Sequence, residues 1–365
     1  MLDETPRTHE RGVLVVVVTL LRRTLASRCL LVVCVLVLLL RAASAESFWH
    51  NPVKVVAPDR MTVVMPAGSG EIPLFLSADW SHALPGIRRA VIVVPGIDRN
   101  AAVTMHGVVA ARDAAGEQGR ATLLIVAQFL VPADMRAFQL PPATLRWGVD
   151  AWSAGEPALG PVPLSSYDVL DAILRHLADP AILPDLTEVV VAGHSAGGQM
   201  VQRYAVVGHD DSHLAARGIH VRYVVANPSS YLYFSDDRPE PVDAASCPVF
   251  NRWRFGLTGA PAYVGAATGL EERYAARDVV YLLGTADIDP NHAALDKSCG
   301  AEAQGPYRLA RGQAFFAYLK ARHPRMTTQH LVLVPGVAHS SVRMFGSACG
   351  MAALFESAGC SDLPP

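Results

Sequence analysis

From Arg89 onward, short apolar runs recur along the chain: AVIVVPG at 90–96, ATLLIVA at 121–127, EVVVAG at 188–193, VRYVVAN at 221–227, DVVYLLG at 278–284 and QHLVLVPG at 329–336. They are continuous rather than alternating, as strands covered on both faces are. Ahead of them, VKVVAP and MTVVMP around 53–66 and IPLFLS at 72–77 are broken by proline and glycine, and read as short strands forming an antiparallel entry to the sheet. The stretches between the runs predict helices over Ala101–Ala115, Ser166–Ala178, Ala196–Val207, Pro306–Ala321 and Ser340–Ser357. Strands alternating with helices imply an α/β architecture, a mostly parallel, doubly wound sheet with helices on both faces. Two intervals, Val131–Ser165 and Pro228–Arg277, are too long for simple connections, and are expected as inserts that form lids or binding walls.

The first 45 residues follow another pattern. Basic residues precede an apolar run from Cys29 to Leu40, and Ala43-Ser44-Ala45 then matches a signal-peptidase site, so the mature chain is expected to begin near Glu46 as one domain over 46–365. The run is shorter than the roughly 20 residues a spanning helix needs, so contact with a membrane is expected only if the segment is retained as an anchor. GVLVVVVTLL at 12–21 is an unusual apolar patch for a leader, and Arg22-Arg23 admits a twin-arginine reading.

Cleavage there would leave Cys247, Cys299, Cys349 and Cys360. An even set in an exported, oxidised protein suggests two disulfides among three pairings, with Cys349–Cys360 and Cys247–Cys299 favoured and free buried thiols the alternative. The spacing contains no Cys-x-x-Cys pair for zinc. A net charge of −2, from 31 basic and 33 acidic residues, gives no electrostatic case for nucleic acid. No nucleotide-cradling or His-Glu-x-x-His motif is found, and no cofactor is expected.

Candidate chemistry lies where strands end. Gly193-His194-Ser195-Ala196-Gly197 spells G-x-S-x-G between a valine strand and a helix, a sharp turn with the serine at its tip. The run at 278–284 is followed by Thr285-Ala286-Asp287, and the last run by Gly336-Val337-Ala338-His339. Serine, acid and histidine therefore follow separate strands in the order of a triad built on such a sheet. Asp287 stands nearer its strand than the alternative acid, Asp289, and His194, inside the turn, reads as packing. A tetrahedral oxyanion needs donors: the Ala196 N–H at the helix start, and one from Pro95-Gly96-Ile97-Asp98, with Ile97 first and Asp98 second. Aromatic residues in or beside the long intervals, Trp147 and Tyr231 foremost, are candidates to line a substrate pocket, although such residues more often pack a cap.

These residues resemble the α/β-hydrolase superfamily, and in particular its secreted esterase and lipase-like serine hydrolases, over about residues 50–357. The resemblance implies Ser195 as nucleophile, His339 as base, Asp287 as acid, and Ile97 and Ala196 as oxyanion donors. The chain departs from the many members with His-Gly before the oxyanion residue, having Pro95-Gly96 instead. The implied activity is hydrolysis of a carboxylic ester, small or polymeric, through an acyl-enzyme. A peptidase, an acyltransferase and a non-catalytic binding protein on the same scaffold are the alternatives.

Overall fold

A computed structural model describes residues 50–66, 68–209 and 211–363. The signal segment, its cleavage site and any anchor lie outside the described residues. Pro52–Pro365 forms one compact unit. Its centre is an eight-stranded sheet of β1 (Asp59–Met65), β2 (Gly68–Leu76), β3 (Arg89–Val94), β4 (Thr122–Ala127), β5 (Glu188–His194), β6 (His220–Ala226), β7 (Asp278–Gly284) and β8 (Gln329–Val334), in the order β1-β2-β4-β3-β5-β6-β7-β8. β1 and β2 run antiparallel, and β3 through β8 are parallel.

The continuous apolar runs fill the middle of this sheet. Every residue of β4 and β5 is buried, whereas the edge strand β1 mixes buried with exposed positions. Pleating sends neighbours to opposite faces, so Ala90, Ile92, Val189 and Val191 join one core cluster while Val91, Val93, Val190 and Ala192 join another. The first core is covered by the helices Ser166–Leu177, Ala196–Val207 and Arg308–Arg322, the second by Ala101–Ala114, Ser341–Phe345 and Ala348–Phe355. Ser165 opens the Ser166–Leu177 helix by accepting from Tyr167 N–H, while the Asp168 carboxylate accepts from Ser165 N–H at 2.8 Å.

Two elements differ from the sequence expectation. VKVVAP forms no strand, because side chains take its backbone donors: Val53 N–H donates to Asp134 Oδ1 at 2.7 Å and Ala57 N–H to Gln128 Oε1 at 2.8 Å. The helix expected over 340–357 is two helices, since Ser347 accepts from Gly350 N–H at 2.9 Å and so starts a new helix after Gly346. The long intervals also hold short helices that their sequence does not announce, Pro132–Phe138 in the first and Leu270–Ala276 in the second.

The cysteines pair as Cys247–Cys299 and Cys349–Cys360, the first tying the second insert to the helix Cys299–Glu302 and the second tying the last helix to the C-terminal segment. Their sequence separations are 52 and 11. In the chain-entropy limit, loops of these lengths give about 4 and about 3 kcal/mol. The Cys247→Ser/Cys299→Ser protein is therefore expected to lose more stability in urea than Cys349→Ser/Cys360→Ser, each with a clear drop in midpoint. Unchanged midpoints in both would show that the bridges do not form.

Candidate active site

The chain turns from β5 into the helix Ala196–Val207 at Ser195, whose backbone sits at φ 60°, ψ −122°. This left-handed conformation strains any residue with a Cβ, and it persists where the surroundings over-determine it. Three glycines permit it. A Cβ on Gly193 would lie 2.3 Å from Gly197 O, one on Gly197 would lie 2.1 Å from Val94 O, and one on Gly198 2.7 Å from Ala226 O. Ser195 N–H donates to Ala226 O at 2.9 Å, pinning the turn against β6. The register supports the rest, because Gly193 pairs with Val94 and His194 with Ala226, so the ends of β3, β5 and β6 are level. The connection from β3 leads to β4 on one side, and the next strand, β5, returns to the other; this switch point is where such sheets open a crevice.

Three strand ends meet there. His339, five residues beyond β8, places Nε2 2.9 Å from Ser195 Oγ and Nδ1 2.7 Å from Asp287 Oδ2. A carboxylate only accepts, so the ring carries its proton on Nδ1 and offers the Nε2 lone pair to the serine hydroxyl. Asp289 does not share this position: it is exposed, and its Oδ1 accepts from Asn291 N–H at 2.8 Å, capping a turn.

Charge is unevenly placed around the trio. Burial pushes the Asp287 carboxyl up, but the His339 hydrogen bond and charge, with the Arg308 guanidinium, outweigh it and hold the pKa below the usual range. Burial lowers the pKa of His339, and Arg308 and His292 lower it further against the pull of Asp287. His194, as expected, packs: it is buried, its ring centroid lies 4.6 Å from that of His339, and burial drives its pKa well down, leaving it neutral. His292 meets the other side of His339 edge-on at 4.9 Å.

The loop after β3 comes close to the serine. A Cβ on Gly96 would lie 3.7 Å from Ser195 Cβ, which brings the Gly96-Ile97 backbone beside the hydroxyl. Ala196 begins the helix on the other side, where backbone N–H groups point outward and favour negative charge. Asp98, the second choice, is exposed, and its Oδ1 accepts from Asn100 N–H at 3.4 Å. The loop is held from beneath. Arg99 has φ 54°, its N–H donates to Gly96 O at 2.9 Å, and its buried guanidinium meets Asp134 at 3.2 Å, while Gln128 Nε2 donates to Arg99 O.

Trp147 and Tyr231 lie elsewhere. Both are fully buried, Trp147 edge-on to Phe129 at 5.3 Å and Tyr231 stacked on Phe315 at 4.6 Å, so they belong to the core and present no surface to a substrate. Sequence reasoning missed Arg99, Asp134, His292 and Arg308, which surround the site. None carries a local signal, since each reaches it from a different segment and becomes visible only when the strand ends converge. Among the described residues, no group of three or more His, Cys, Asp or Glu side chains is arranged to hold a metal ion.

No family model and no curated protein matches the chain. Among solved structures, it is similar to a poly(aspartic acid) hydrolase from Sphingomonas sp. KT-1, with 23% identity, a TM-score of 0.53, and coverage of 79% of this chain and 96% of that one. It is also similar to a poly(3-hydroxybutyrate) depolymerase from Bordetella parapertussis, with 21% identity, a TM-score of 0.56, and coverage of 82% and 90%. At these identities the likeness is one of fold.

The glycine contacts generate a test of the turn. Gly197→Ala drives a Cβ into Val94 O, a backbone atom that cannot move without opening β3. It is expected to cost more than about 3 kcal/mol or to abolish soluble expression. Gly218→Ala, at a surface position with open space around it, should cost about 1 kcal/mol or a little more, for its φ of +70° alone. Equal melting temperatures for the two variants would contradict the packing described.

Proposed function

We propose that this chain, which has the α/β-hydrolase fold, is an exported serine hydrolase that cleaves carboxylic esters through an acyl-enzyme. The observation that carries the reading is the continuous relay from Asp287 Oδ2 through His339 to Ser195 Oγ, at 2.7 Å and 2.9 Å. A serine hydroxyl is a weak nucleophile by itself. With Nε2 of His339 as general base, Oγ attacks the ester carbonyl while its proton passes to the imidazole. The carbonyl π electrons move to oxygen, and the N–H groups of Ala196 and Ile97 stabilise the oxyanion. Collapse expels the alcohol, which takes the proton back from His339. Water then repeats the cycle on the acyl-enzyme and releases the acid. Asp287 keeps the imidazole in the required tautomer and stabilises its charged form.

Export is supported by the signal-like leader and by the two disulfides, which suit an oxidising compartment. Among the described residues, no helix is long and apolar enough to cross a membrane. The depolymerase among the neighbours is named for a polyester, and polymeric esters fall within the proposed substrate class alongside small ones.

Purified protein treated with a fluorophosphonate is expected to carry the adduct on Ser195, and to hydrolyse p-nitrophenyl esters with a burst. Ser195→Ala should lower kcat by about 10⁴-fold or more with little change in melting temperature, since the hydroxyl contributes no packing of note. A folded wild type that takes no label and turns over no ester would sink the proposal. The pH profile gives a second check. The active base is neutral His339, whose pKa lies below the ordinary 6.5, so activity falls as pH drops through that lowered value. The acid limb of kcat/KM is expected to have its midpoint below 6.5.

A further inference from the structure

We propose that Arg308 is a positioning residue for the triad acid, fixing the carboxylate of Asp287 and the loop that bears it so that His339 meets the carboxylate in one orientation. The inference rests on the catalytic reading of Ser195, His339 and Asp287. Arg308 opens the helix Arg308–Arg322 and its side chain is fully buried. Each guanidinium nitrogen is engaged on a separate target. Nη1 donates to Asp287 Oδ1 at 3.4 Å, Nε to Ser229 Oγ at 3.0 Å, and Nη2 to Ala294 O. Ser229 lies beyond β6, and Asp287 and Ala294 both belong to the segment after β7. The planar fork therefore clamps the acid loop to its neighbour, a task for which a flexible ammonium has the wrong geometry.

The unequal lengths on Asp287 carry the argument further. Charge-assisted N–H···O bonds are ordinarily about 2.7–2.9 Å, a distance His339 reaches and Arg308 does not. A close two-pronged ion pair would neutralise the carboxylate and weaken its hold on an imidazolium. Here Ser229 and Ala294 anchor the guanidinium on their own account, so it blocks rotation of the carboxyl group while leaving Oδ2 to the histidine. The same positive charge acts on the base. The ionisable groups around His339 are Asp287, Asp289 and His292 from the segment after β7, His194 from β5, and Arg308 from its helix. Only the aspartates favour the charged imidazole, and Arg308 opposes them.

The test is kcat and KM for p-nitrophenyl butyrate across the pH range in purified wild type, Arg308→Met, Arg308→Lys and Ser229→Ala, with melting temperature and fluorophosphonate labelling of each. Arg308→Met should lower plateau kcat by about 10–100-fold with KM within about twofold, as expected of a misplaced catalytic group. Its acid limb should move up by about one pH unit, because a nearby positive charge has gone. Arg308→Lys keeps the charge and loses the fork, so it should keep the limb in place while losing about tenfold in kcat. Ser229→Ala, missing one anchor, should lose a few-fold in kcat with a nearly unchanged melting temperature. A purely structural arginine would instead shift melting and leave kcat and limb alone. If Arg308→Met fails to fold, Arg308→Lys and Ser229→Ala decide, and wild-type kcat in both overturns the proposal. Absence of label on wild-type Ser195 overturns the triad reading instead, whereas label there with unmoved variant profiles overturns only the role of Arg308.

Discussion

The backbone of Ser195 is the constraint on which the rest of the site depends. A serine at φ 60° is held in place by close approach, with the start of the Ala196–Val207 helix pressed against the ends of β3 and β6 so tightly that no Cβ fits at 193, 197 or 198. That compression has one purpose that can be read from geometry. It lifts the hydroxyl out of a sheet whose central strands are otherwise sealed on both faces, and sets it beside the first N–H groups of a helix. Strain of this kind costs roughly 1–3 kcal/mol and survives because two large cores on either face of the sheet over-determine the turn.

Around that turn, buried arginines fasten loops to the sheet through neutral acceptors as much as through carboxylates. Arg203, one helical step behind the elbow, donates to Ser153 O in the first insert, to Arg254 O in the second, and to Ser230 Oγ. Arg311 donates to Gly305 O, Ser229 O and Asp296 O. Burial pushes the pKa of each down to about 10, yet both stay charged at neutral pH because the carbonyl dipoles replace water around the guanidinium. Irregular segments leave many backbone carbonyls without ladder partners, and a five-donor fork satisfies several at once. The long inserts are thus tied to the helix that carries the nucleophile, coupling their order to the order of the site.

What could be read from the sequence follows the range of the interactions involved. The central strands, the G-x-S-x-G turn and the order Ser195, Asp287, His339 are written in contiguous residues, because a doubly covered strand must be apolar throughout and a tight turn must have glycine. The choice between Asp287 and Asp289 was visible as a count of residues from a strand end, and the structure gives the reason: Asp289 is consumed by its own turn. The assignments that miscarried were those depending on what a side chain faces. Tyr231 and Trp147 look alike in sequence whether they line a pocket or fill a core, and here they fill it. Likewise VKVVAP has the composition of a strand, and only the distant side chains of Asp134 and Gln128 explain why its backbone bonds elsewhere.

The electrostatics of the base show the same division. One carboxylate opposite one histidine would raise the imidazole pKa and leave it charged, and so inert as a base, over much of the mildly acidic range. In this fold the opposite balance holds: burial comes first, and Arg308 and His292 add to it until they outweigh Asp287. The carboxylate can therefore be strong where it matters, in stabilising an imidazolium formed during reaction, without protonating the base beforehand. A triad drawn as three residues omits this. The acid and base are kept in opposite protonation states by groups outside the trio, and the chief of these, Arg308, is held by a serine beyond β6 and a carbonyl in the acid loop rather than by the acid itself.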